Sequence, residues 1–278
     1  MAVVTGAASG IGLALAEEFV QQSMKLVLAD VQQEALAAAA GELSRQGEVL
    51  AVPTDVAHRE QVEALASRAL EAFGRIHVLV NNAGVVGPAL PVWEISEADW
   101  ARMLDVNVGS VIHGIRAFLP ILLEQDEAFV VNTASRAGLA TARLGAYSVT
   151  KHSVVALSEA LHHSLASRNA QVGVAVLCPS GVSTRIMEST RYAAGVEGAP
   201  GAPDPEAAAF RGVARAVAEG ITPREVAKLV VASMREGRFY ITTDQDALDE
   251  VRSRTEDILS GRPPSISPAA RRQGTPRA

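Results

Sequence analysis

The stretch AYSVTK places Tyr147 four residues ahead of Lys151. Residues four apart on a helix share a face, so a phenol and an ammonium would stand side by side. The composition makes the pairing unusual: of 25 basic residues only three are Lys, and only three residues are Tyr. Proton transfer to and from an alcohol oxygen is the chemistry that suits such a pair. A free tyrosine titrates near 10, too high for an efficient base at neutral pH, and an adjacent positive charge favours its phenolate. The plainer alternative is a structural pair on one helical face.

Such a helix must be held against a scaffold, and the chain alternates short apolar runs with longer segments of helical period. The runs are AVVTG (2–6), KLVLAD (25–30), EVLAVPTD (48–55), IHVLVNNAG (76–84), AFVVNTAS (128–135), VGVAVLCP (172–179) and RFYITT (238–243). Nearly continuous apolar strands separated by helices indicate a parallel sheet covered on both faces. Seven strands in one sheet are expected. Polar residues and glycines close these runs, which is where ligands bind in open α/β sheets, beyond the carboxyl ends of the strands.

The first closing motif, TGAASGIG (5–12), leads into the apolar-periodic helix IGLALAEEFV. Gly6 permits a tight turn, Gly10 a close backbone approach, and Gly12 packing of the helix on the sheet, while the helix N-terminus offers unpaired N–H groups to a pyrophosphate. Asp30 ends the second run, roughly 20 residues beyond the loop, where an acid accepts hydrogen bonds from an adenosine ribose. A carboxylate there repels a 2′-phosphate, and the glycine loop carries no Arg or Lys to attract one. NAD is expected rather than NADP; a helix cap is the other reading of Asp30.

The order TGAASGIG, Asp30, TDV (54–56), NNAG (81–84), Asn107 in DVNVGS, Ser135 in NTAS, YSVTK (147–151) and the Pro179 to Thr184 segment closely resembles a classical short-chain dehydrogenase/reductase, over roughly residues 2–243. The resemblance implies a Rossmann-type, doubly wound three-layer α/β sandwich and hydride transfer between a secondary alcohol and a nicotinamide. It implies a catalytic set of Asn107, Ser135, Tyr147 and Lys151. Tyr147 would be the general acid and base, Lys151 would tune it and bind the nicotinamide ribose, and Ser135 would donate to the carbonyl oxygen. Asn107 would hold a water linking Lys151 to solvent. In the cofactor site, Ser9 and Ile11 join the three glycines of the loop. Asp55 and the Val56 backbone would face the adenine, and Asn82, Ala83 and Gly84 the nicotinamide-side ribose. Pro179, Val182 and Thr184 would flank the carboxamide and pyrophosphate, and Asn81 would brace its turn internally.

Two features depart from the family pattern. Ser135 and Tyr147 stand one residue closer than is usual, which shortens the loop RAGLATARLGA. Ser180 occupies a place where Gly commonly follows the Pro, and would be strained if that position needs a positive φ. Substrate specificity is expected in that short loop, in the stretch containing Trp93, and in residues 185–221, which interrupt the strand and helix rhythm and suit a lid. Met187, Tyr192 and Phe210 could meet an apolar substrate or only pin the lid to the core. An apolar secondary alcohol or ketone is the expected substrate.

The global numbers set the bounds. A chain of 278 residues with 48% hydrophobic content can bury one large core, so residues 1–260 are expected to form a single catalytic domain and 261–278 a disordered tail. A net charge of −6 without a lysine-rich run lacks the footprint of a nucleic-acid binder. MAVVTGAASGIG lacks the basic leader and long apolar stretch of a signal peptide and no run reaches membrane length, so neither a secretory leader nor a membrane span is expected. The lone Cys178 fits a reducing compartment, with a cytoplasmic location expected. No metal-like cluster of His with acids or thiols is visible. By resemblance, helices near 99–123 and 147–167 would pair in a homodimer or homotetramer. The alternative functions are a catalytically silent NAD(P)-sensing regulator of the same fold, which would be expected to lack the Tyr or Lys, and an epimerase or dehydratase, which would need a longer C-terminal substrate domain.

Overall fold

The computed structural model describes residues 1–141, 145–188 and 205–265. Seven short strands form one sheet: β1 (Ala2–Thr5), β2 (Leu26–Asp30), β3 (Val49–Pro53), β4 (Val78–Asn81), β5 (Ala128–Thr133), β6 (Val172–Cys178) and β7 (Tyr240–Thr242). All pairings are parallel and the order is β3-β2-β1-β4-β5-β6-β7. The strands occupy the seven apolar runs, each trimmed at its polar end, where the backbone leaves the ladder to build loops.

The helices are α1 (Gly10–Gln21), α2 (Gln33–Leu43), α3 (Arg59–Phe73), α4 (Glu97–Leu104), α5 (Ser110–Leu122), α6 (Gly145–Ala166), α7 (Pro205–Ala218), α8 (Pro223–Arg235) and α9 (Gln245–Leu259). Side chains alternate across each strand, so neighbours in sequence feed opposite layers. Val4, Leu28 and Val80 pack with Leu15, Phe19 and Val230 on the side of α1 and α8. Val3, Val27 and Leu79 pack with Leu65, Phe118 and Leu161 on the side of α3, α5 and α6. This two-faced burial is what a continuous apolar strand requires, and it makes the three-layer sandwich.

Local signals end the elements. Gly74, at φ 72°, closes α3 in the left-handed conformation. A reciprocal Thr222 and Glu225 capping box with Pro223 in the first turn starts α8. Strand order reverses between β1 and β4, which opens a crevice at their carboxyl ends. Tyr192 and residues 189–204 of the expected lid lie outside the described residues, as does the segment from 266 onward. Residues 261–265, read from sequence as the start of a tail, bond back to α9: the Ser265 amide and hydroxyl both donate to Asp257 Oδ2, at 2.9 and 2.6 Å. Among the described residues no helix is long and apolar enough to cross a membrane.

Candidate active site

At the β1 end, Gly6 and Gly10 take φ values of 63° and 57°, a region closed to most side chains. Gly12 is required for a different reason, since a Cβ there would lie 2.2 Å from the Gly6 carbonyl oxygen. The first α-helical bond of α1 runs from Leu13 N to Ser9 O at 3.2 Å, which leaves the amides before it unused by the helix. No acid lies in that first turn, so nothing competes with an anionic ligand there.

The loop is locked to the neighbouring strand by Thr5, a residue that sequence reading passed over. Its hydroxyl accepts from the Asn82 and Ala83 amides at 2.9 and 3.2 Å and donates to Val80 O at 3.2 Å. Asn82 Nδ2 donates back to Thr5 O at 3.0 Å. A threonine at a strand end before a glycine loop was the only available signal. Asn81 turns into the core, as expected of a brace, and donates from Nδ2 to Asn132 Oδ1 at 2.9 Å.

Asp30 is buried at the end of β2, and its two oxygens accept from Ala8 N and Gln32 N, each at 3.0 Å. A carboxylate has room for roughly four hydrogen bonds, so acceptor capacity remains on the side facing the cleft. Asp55 accepts from Ala57 N at 3.0 Å in the turn after β3.

The opposite half of the cleft is built by β5, β6 and α6. Ser135 follows β5 and caps a short 3-10 turn, Arg136–Gly138, accepting from Ala137 N at 3.2 Å. The Ser135 hydroxyl donates to Pro179 O at 3.5 Å and lines the same cleft as the Tyr147 phenol. One turn along α6, Lys151 is 2% exposed and donates from Nζ to Thr133 O at 2.9 Å. Its ammonium stands 5.7 Å from the centre of the Tyr147 ring.

Burial dominates the titration of both groups. It pushes the Tyr147 phenol up to about 12, although the nearby Ser135 hydroxyl works the other way. It pushes Lys151 down to about 8. Burial of the ring thus works against the phenolate that a neighbouring positive charge favours. Cys178 is fully buried and its thiol is raised to about 12, again by burial. It stays neutral near pH 7 and is no nucleophile.

Asn107 lies in a π-helical turn, Asp105–Gly109, between α4 and α5, rather than in a regular helix. Its Oδ1 accepts from Val85 N at 2.8 Å, and its Nδ2 donates to Val85 O and Thr150 Oγ1, each at 3.0 Å. The wider turn aims a buried amide at the backbone leaving β4. A Cβ on Gly84 would meet both Asn107 Oδ1 and Lys151 Nζ at 3.3 Å, so glycine is what lets these groups converge.

These groups open on one cleft of about 950 Å³, large for a single small-molecule site. Every site residue expected from sequence lines it except Gly12 and Asn107, which stand behind the wall. Met187 lines it as well, whereas Trp93 is 80% exposed. Ser180 has no positive φ, so the feared strain is absent; its amide donates instead to Thr243 Oγ1 at 3.0 Å. Sequence reading also missed Arg136 and Glu250, which line the cleft as an ion pair at 3.5 Å. Arg136 adjoins Ser135, but nothing in the sequence brings Glu250 to it. Among the described residues no group of His, Cys, Asp and Glu could hold a metal ion.

A parallel sheet with a glycine-loop helix at its switch point and a Ser, Tyr and Lys group across the crevice defines a nicotinamide-dependent oxidoreductase. A profile of the short chain dehydrogenase family matches residues 1–194, and the chain belongs to the short-chain dehydrogenase/reductase family, whose members of this kind act on CH–OH groups. It is 35% identical over 271 residues to a 1-deoxy-11-beta-hydroxypentalenate dehydrogenase of Streptomyces exfoliatus, covering 95% of this chain and 91% of that one. It is 37% identical over 190 residues to a 3beta-hydroxysteroid dehydrogenase 2 of Eggerthella lenta, covering 66% and 72%. A crystal structure of a short chain dehydrogenase/reductase from Burkholderia phymatum in complex with NAD superposes with a TM-score of 0.88 at 44% identity, covering 96% of each chain.

Proposed function

We propose that the protein interconverts a secondary alcohol and a ketone with NAD, and that Tyr147 is the general acid and base. The observation that carries this reading is the convergence of Ser135, Tyr147 and a buried Lys151 ammonium, 5.7 Å from the phenol ring, on one cleft with the glycine loop. When bound, nicotinamide supplies the hydride chemistry. The chain's own residues handle the oxygen and its proton. Ser135 donates to the substrate oxygen, Tyr147 takes the alcohol proton or returns it to the ketone, and Lys151 binds ribose hydroxyls and favours phenolate. The raised phenol makes the Lys151 charge and the positive charge of oxidised cofactor necessary contributors.

The cradle suits the dinucleotide. The free amides of α1 would hold a pyrophosphate, Asn82 to Gly84 would line the nicotinamide-side ribose, Pro179, Val182 and Thr184 would flank the carboxamide and pyrophosphate, and Asp55 with Val56 would face the adenine. Asp30 selects NAD over NADP, since its buried carboxylate disfavours a 2′-phosphate. Asn107 braces Val85, and the second lone pair of its Oδ1 can accept a water that links Lys151 to solvent.

An alcohol on an apolar skeleton is the proposed substrate, in keeping with relatives named for a hydroxysteroid and a hydroxypentalenate. Residues 1–260 act as one catalytic domain with a lid at 185–221, in a cytoplasmic homodimer or homotetramer. The test is NADH formation across cyclic, steroidal, aryl and aliphatic secondary alcohols. Turnover of some apolar members is expected; activity confined to charged sugars or acyl carriers would refute the substrate class, and none with any alcohol the function.

A further inference from the structure

The family match ends at residue 194, yet the chain beyond it lines part of the cleft and braces the turns around it. Thr243, at the end of β7, accepts the Ser180 amide and so ties down the turn after Pro179. Further on, α9 brings Glu250 against Arg136, Oε2 to Nε at 3.5 Å, with side chains 5% and 16% exposed. Arg136 is the residue after Ser135. Its amide donates to Pro179 O at 2.9 Å, and it opens the 3-10 turn that the Ser135 hydroxyl caps.

A buried ion pair is weak evidence for stability, because desolvation offsets the attraction, whereas removal of one partner strands a charge. Other pairs in this chain, such as Arg59 with Glu63 and Arg252 with Asp249, lie in solvent and raise no such question. The place of the Arg136 pair supplies a reason. It joins the turn carrying Ser135 to a helix that is otherwise remote from it, and both side chains face the cleft.

We propose that Arg136 and Glu250 are positioning residues whose ion pair clamps the Arg136–Gly138 turn to α9 and so sets the direction of the Ser135 hydroxyl. This rests on the role given to Ser135 above. Neither side chain need touch the reacting atoms; a displacement of about 1 Å in such a group costs up to about 100-fold in rate.

The experiment uses the full chain saturated with NAD and two variants, Glu250→Gln and the charge swap Arg136→Glu with Glu250→Arg. Glu250→Gln is expected to lower kcat about tenfold or more, with NAD affinity close to the parent, the pH profile unmoved, and a lower melting temperature, from the loss of the carboxylate facing Arg136, that still leaves the enzyme folded at the assay temperature. Amide hydrogen exchange is expected to rise in residues 136–139 and not around Gly10. The swap is expected to recover part of kcat. A Glu250→Gln enzyme with parental kcat and parental exchange at 136–139 overturns the clamp, as does a loss of kcat matched by loss of folded protein or of NAD affinity. If Glu250→Gln does not fold, Glu250→Asp, which keeps the charge but retracts it, takes its place. Should the parent turn over no alcohol, the proposed function falls while the exchange measurement still decides the clamp.

Discussion

The Lys151 ammonium donates to the Thr133 carbonyl at 2.9 Å while standing 5.7 Å from the centre of the Tyr147 ring. It is anchored to the end of β5 rather than bonded to the phenol it adjoins. The anchor holds the charge at the floor of the cleft, where a ribose hydroxyl and the phenol can both feel it. Burial there lowers Lys151 to about 8.

Because the folded pKa of Lys151 lies below its ordinary value, its charge is nearly complete well below about pH 8, half lost at about pH 8, and gone as pH rises beyond it. NAD affinity should therefore weaken on going from pH 7 to above pH 9, by about tenfold for one charge-assisted hydrogen bond. Titration calorimetry or fluorescence quenching across that range is the check. Lys151→Met should bind NAD weakly throughout with a flat profile; a pH-independent parental affinity would remove Lys151 from the cofactor site.

Tyr147→Phe deletes the proton carrier and keeps the ring that packs beside Lys151. The expected loss in kcat is about 10²-fold to 10⁴-fold, with NAD affinity within about twofold because the ring contacts persist. Stopped-flow and steady-state assays at saturating NAD measure it. Activity near the parental level would show that another group moves the proton.

Asp30 holds two backbone amides as well as facing the cleft, so its replacement acts on the loop and on the ligand. Asp30→Asn keeps the size and removes the charge. The ratio of kcat/KM with NAD to that with NADP should fall by about tenfold or more, equivalent to roughly 1.4 kcal/mol. An unchanged ratio would mean that the carboxylate does not discriminate the 2′-phosphate.

Two glycine replacements should have opposite effects. Gly12→Ala drives a methyl to 2.2 Å from the Gly6 carbonyl and should cost about 1–3 kcal/mol or more as overpacking, with loss of NAD binding. Gly41 lies exposed in α2 with open space around it, so Gly41→Ala should stabilise by about 0.5–1 kcal/mol. Urea unfolding of both variants beside the parent provides the comparison.

The seven strands and their all-parallel arrangement were legible because strands buried on both faces cannot alternate in polarity, and AVVT, LVLAD and VGVAVLC do not. The cofactor loop was equally readable, since positive φ and backbone contact leave glycine as the fitting residue at positions 6, 10 and 12. Asn107 was found as a residue but not as a geometry: its π turn widens one turn of backbone and gives no periodic signal in DVNVG. Ser180 invited an expectation of strain because only its position was visible, and φ is decided by the packed turn around Thr243.

The sequence by itself determined the strand and helix alternation, the loop that turns tightly beside the sheet, and the pairing of Tyr147 with Lys151, because each depends on residues within one or two helical turns. Only the tertiary structure decided how these groups titrate and what braces them. Desolvation depends on everything packed around a side chain, and it raises Tyr147 while lowering Lys151. The contacts of Thr5 with Asn82, Asn107 with Val85, and Arg136 with Glu250 join segments far apart in the chain. Such contacts form only once the sheet order brings those segments together, and no local spacing encodes them.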